Sequence, residues 1–154
     1  MRNTFARTLG LPLVAVALLV GSACHNPIEP EDHPEAGGVV ILDAGTGAVL
    51  ATSVGAGSVF NQPLTLSVSD VLEVEIMFLD ADAPADLARA FFPDAAEGET
   101  LSVVIDNEAI VTYADHGDHG DFTAHAAGQT TLEVRLMHGG HDDFRTGALT
   151  VVVE

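Results

Sequence analysis

Beyond residue 38 the chain breaks into short runs of Val, Ile, Leu and Thr separated by Gly, Asp and Asn. That punctuation is the mark of an all-β sandwich or barrel. It predicts strands near 39–42, 48–54, 64–68, 71–79, 101–105, 109–113, 122–125, 131–137 and 148–153. Two of these alternate cleanly. In residues 71–78, Leu72, Val74, Ile76 and Phe78 fall on one face and Glu73 and Glu75 on the other. Strand geometry therefore sends the first set to a core and the acids to water. In residues 131–137 the same logic points Leu132, Val134 and Leu136 inward and Glu133 and Arg135 outward. One stretch, residues 84–92, has good helix formers and groups Leu87, Ala90 and Phe91 on one side, so a short helical insert is expected to cap an end of the sandwich.

The N-terminus has a different character. Arg2 and Arg7 precede an apolar run of about 15 residues, from Leu9 to Ala23, too short for the roughly 20 residues that a helix needs to cross a bilayer. The order basic, apolar, small is that of an export signal, which makes residues 1–23 a signal peptide. Val20-Gly21-Ser22-Ala23-Cys24 resembles the lipobox, in which cleavage before a cysteine follows attachment of diacylglycerol. Gly21 departs from the Leu or Val usual at its place and leaves ordinary signal-peptide cleavage open. Cys24 is the sole cysteine, and an odd thiol in an exported chain calls for an explanation that lipidation supplies. The expected location is the bacterial cell envelope, at an outer membrane or cell surface, with the membrane contacted through the lipid.

Cleavage before Cys24 leaves 131 residues, enough for one domain with a core. Arg2 and Arg7 go with the signal, so three arginines face 23 acids, a formal charge of −20, and no lysine occurs anywhere. Nucleic acid is excluded as a partner because the electrostatic drive for such contacts would be repulsive. Residues 24–37 carry three prolines and four acids with hardly any apolar side chain; they cannot bury enough surface to fold and read as a Pro-rich tether. The folded domain is then 38–154.

Residues 64–82, the run DNEAIVTYAD, the run FTAHAAGQTTLEVRL and the closing ALTVVVE together look like a bacterial immunoglobulin-like domain of the group 2 kind. The most specific part is Ala126-Ala127-Gly128 through Val134. The match covers roughly 90 of the 154 residues and its motifs are structural. The resemblance implies an immunoglobulin-like β-sandwich used as a spacer or adhesion module, with no inherent chemistry. The sequence departs from the pattern at Ala81-Asp82-Ala83-Pro84, in place of a glycine turn, and at residues 115–121, where a short turn is enlarged.

That enlargement, DHGDHGD, and the segment MHGGHDD at 137–143 are where chemistry would reside. Strand parity puts both loops at the same end of the sandwich. Imidazole nitrogens and carboxylate oxygens suit zinc, copper or nickel. His116, His119, His138 and His141 are the candidate ligands, and Asp118 and Asp121 either orient the rings through the second ring nitrogen or ligate directly. Zinc or copper is the expected metal. The competing reading is that the glycines make turns and the His and Asp side chains are solvated filler. The Asp spacing lacks the register of an EF-hand. His25 and His33 lie in the tether and read as solvated; His125 reads as a half-buried structural residue.

No catalytic signature is present: no Gly-x-Ser-x-Gly, no His-Glu-x-x-His and no phosphate-cradling glycine loop. The chain is not expected to be an enzyme. Two function classes remain, a metal-binding envelope lipoprotein and a non-catalytic module that docks on an envelope protein.

Overall fold

The computed structural model describes residues 34–154. Cys24, His25, His33 and the export signal lie outside the described residues. Among the described residues, ten strands form two sheets. The first sheet runs β2 (Val49–Val54), β1 (Ala36–Asp43), β4 (Val71–Asp80), β7 (Gly120–Ala124), β6 (Val111–Asp115). The second runs β3 (Leu64–Leu66), β10 (Leu149–Val153), β8 (Gly128–His138), β5 (Glu99–Ile105), with β9 (His141–Arg145) also paired to β8. The chain is an all-β sandwich. Strand β1 begins inside the stretch assigned to the tether, because Ala36 already pairs with Asp80.

The alternation seen in the sequence fills the core. Val74, Ile76 and Phe78 from β4 and Leu132, Val134 and Leu136 from β8 are all buried, while Glu73 is exposed and Glu75, Glu133 and Arg135 are half-buried on the outer faces. Val39, Ile41, Val111, Phe122, Leu149 and Val151 complete the interior. Burial of this kind contributes about 25 cal/mol per Å² of apolar surface removed from water.

Strand β8 serves three partners. Its first half pairs with β10 and its second half with β5 on one side and β9 on the other. Strands β9 and β10 thus occupy one edge of β8 in succession. Thr146 joins them: its N–H donates to the Val134 carbonyl, and its Oγ1 accepts from the Val134 N–H at 3.0 Å, so the gap between the strands leaves no orphaned backbone group there. The sequence reading placed a loop at 138–143, but most of that segment is strand. His141-Asp142-Asp143 has polar side chains and no apolar alternation, so its pairing is set by the Gly139-Gly140 turn (φ 57° and 90°) rather than by a hydrophobic face.

The helical insert is a single 3-10 turn, Leu87–Arg89, capped by Asp86, whose side chain accepts from the Ala88 N–H. Leu87 is exposed. Phe91 instead turns back to bridge Phe78 through backbone hydrogen bonds, with the two rings 6.0 Å apart. Arg89 pairs with the buried carboxylate of Asp80, whose other oxygen accepts from the Asp82 N–H at 2.8 Å. An ion pair thereby fastens the insert to the end of β4.

Candidate functional site

The β6–β7 hairpin presents His116 and His119 at its tip. The turn is closed by the His116 N–H donating to the His119 carbonyl, and Gly117 takes φ 101° as its own N–H donates to Asp115. The two rings lie 5.2 Å apart. His116 Nε2 is 3.2 Å from Asp121 Oδ2, and His119 Nδ1 is 2.7 Å from Asp118 Oδ1. Each candidate aspartate thus holds one imidazole by one nitrogen, the arrangement that fixes the tautomer of a metal-binding histidine. The hydrogen bond to Asp118 raises the His119 pKa above its usual value, and the same bond lowers that of Asp118. Charges on Glu73 and Asp121 act on His119 in the same direction.

Beneath the tip, Gly120 is required by its neighbour. A Cβ there would run into the Tyr113 ring, which lies across the strand against Phe122 with 5.0 Å between centroids. The Tyr113 hydroxyl is buried without a hydrogen-bond partner among the described residues.

The β8–β9 hairpin carries the second pair. His138 and His141 are cross-strand partners with rings 6.0 Å apart. The residue that sequence reading missed is Asp143. A β-bulge between Leu136 and Met137 sets Phe144 opposite Leu136 and Asp142 opposite Met137, so that Asp143 is the extra residue. Bulges re-aim side chains. Here the carboxylate reaches both rings, with Oδ2 3.2 Å from His138 Nδ1 and Oδ1 3.0 Å from His141 Nε2. The only sequence signal for this role was an Asp two residues beyond His141.

The two pairs share the upper part of the sandwich but are not brought together. Asp121 faces outward beside Glu73 on the first sheet, since its neighbours Phe122 and Val74 point in. His138 is in register with Glu99 and belongs to the inward set of β8, with Leu136 and Val134. Gly120, at the base of the first tip, pairs with Val74. The second tip lies near the far end of β4, as Phe144 packs edge-on against Phe78 at 6.2 Å. The stretch from Val74 to Asp80 spans roughly 20 Å at ~3.3 Å per residue. The hairpins also sit over different edges, β6 against β5 and β9 against β1. Among the described residues, no set of three or more His, Cys, Asp and Glu side chains is arranged to hold a metal ion as it stands.

His125 is exposed rather than half-buried, just past the end of β7, with Nε2 2.8 Å from Thr112 Oγ1. It lies at the base of the β6–β7 hairpin, away from both tips.

No known family model matches the chain. A search of curated proteins likewise finds no match.

Proposed function

We propose that the protein is an exported lipoprotein, anchored to the bacterial envelope through Cys24, whose β-sandwich binds a transition metal, zinc or copper, through His and Asp side chains at its hairpin tips. The observation that carries this reading is the spacing of the imidazoles. Two rings bound to one tetrahedral ion at ~2.1 Å stand with their centres roughly 5 Å apart, and His116 and His119 lie at 5.2 Å, each ring holding an aspartate through one of its two nitrogens. The excess of acids over arginines adds a general attraction for cations.

A second reading is a non-catalytic interaction module of the immunoglobulin-like kind, facing an envelope protein with solvated hairpin tips. The lack of a ready three-donor cluster among the described residues favours it. Under either reading the protein performs no catalysis. Thermal melting of the untagged mature protein separates the two, because a ligand held only by the folded state raises apparent stability by mass action. Under the metal reading, zinc raises the melting temperature and a chelator reverses the rise. Melting that is indifferent to zinc, copper and chelator refutes that reading and leaves the interaction module.

A further inference from the structure

We propose that the β8–β9 hairpin is a metal site of its own, with His138, His141 and Asp143 as the ligands and Glu99 as the carboxylate that orients His138. The inference rests on the metal-binding reading above and changes its stoichiometry from one shared ion to two independent ones.

The argument begins with the bulge. Without an extra residue in β9, position 143 would stand opposite Leu136 and place a carboxylate at the mouth of the core. With it, Phe144 takes the apolar place and Asp143 is left to reach both rings. Its oxygens lie 3.2 Å from His138 Nδ1 and 3.0 Å from His141 Nε2. Two donors bound to one tetrahedral ion at ~2.0–2.1 Å are separated by roughly 3.3 Å. Each Asp143 oxygen and the ring nitrogen it faces are therefore near ligand spacing already. Closing the set requires the two ring nitrogens to turn toward a common point, and the Gly139-Gly140 tip that joins their strands has the backbone freedom to let them.

Protons can follow. A carboxylate hydrogen-bonded to both rings draws N–H tautomers at Nδ1 of His138 and Nε2 of His141. Coordination moves each proton to the opposite nitrogen of its ring, leaving neutral imidazoles. For His138 a carboxylate stands nearby. Glu99 is its cross-strand partner on the same inward face and is 97 % buried, with Oε2 accepting from the Asp94 N–H at 2.9 Å. The His138 ring also lies beside Gly98, 3.7 Å from where a Cβ would be. A carboxylate behind a ligating imidazole is the usual outer support of such sites. Access is open, because the His141 side chain is 70 % exposed.

Native mass spectrometry of the untagged protein titrated with zinc acetate, with calorimetry for affinity, tests the proposal. The wild type should hold two zinc ions. His141→Ala and the near-isosteric Asp143→Asn should each lose one ion, and the same one, while His116→Ala loses the other and leaves the first intact. Glu99→Gln should weaken the β8–β9 ion by about 10–100-fold, and circular dichroism of each variant confirms that the sandwich is kept. One zinc ion lost equally from substitutions in either hairpin overturns the proposal while sparing the metal reading. Two ions with Asp143→Asn indistinguishable from wild type overturn it as well. A wild type that binds neither zinc nor, in a parallel titration, copper refutes both.

Discussion

Tyr113 offers a sharp test of the packing under the first hairpin. Its ring covers Gly120 and contacts Phe122, but its hydroxyl is buried with no partner among the described residues. A buried polar group left unsatisfied costs ~1–3 kcal/mol. Tyr113→Phe keeps the ring and removes that group, so it should stabilise the domain by about 1 kcal/mol and raise the melting temperature by roughly 3–5 °C for a chain of this size. Burial, reinforced by the charges of Asp115 and Asp121, also pushes the phenol pKa well above its usual 10.0. The folded protein then keeps the phenol neutral at pH values where the unfolded chain ionises it. Stability from this group is complete below pH ~10 and falls as pH rises above it, so the advantage of the Phe variant should widen in alkali. The chain has one tyrosine and no tryptophan, so phenolate absorbance near 295 nm reads this residue alone. A native titration midpoint near 10, or a Phe variant no more stable than wild type, would refute the packing argument.

Val134 is fully buried at the centre of β8, and Val134→Asp should abolish the cooperative unfolding transition in circular dichroism by placing an unpaired charge in the core. Thr146→Val deletes the acceptor of the buried Val134 N–H and should cost ~1–3 kcal/mol in denaturant unfolding. At the β1–β2 turn the hydrogen bonds from the Thr46 hydroxyl and N–H lower the Asp43 pKa below 3.8; the linked stability is present above that value and fades as acid carries the pH down through the lowered one. Thr46→Val should return the Asp43 carboxyl titration, followed by NMR, toward 3.8. Cys24→Ala should abolish the diacylglycerol adduct in intact-mass analysis and free the protein from the detergent phase, and a wild type without adduct would defeat the anchor proposal.

Strands β4 and β8 are legible because alternation there reports burial, and β1 because its apolar run Val39-Val40-Ile41 is buried on both faces. In β4 and β8 every second side chain meets a core, and hydrophobicity records it directly. Strand β9 escaped because its register is set by a turn and a bulge, and Asp143 escaped with it, since nothing in His-Asp-Asp says which carboxylate a bulge will turn toward the rings. The pattern at 84–92 announced a short helical insert, which forms as the single 3-10 turn Leu87–Arg89 with Phe91 bridging Phe78 beyond it. The four candidate histidines followed from the two His-x-x-His segments. Their separation did not, because strand parity tells which end of a sandwich a loop occupies but neither its height nor its face.

Strand β10 lies between β3 and β8 and pairs with β3 in parallel, Val151 beside Leu64. Segments distant in sequence must therefore meet before the second sheet has a middle. Such long-range closure is slow, and it cannot start on a growing chain until residues 149–153 have been made. Until then β3 lacks the strand it pairs with.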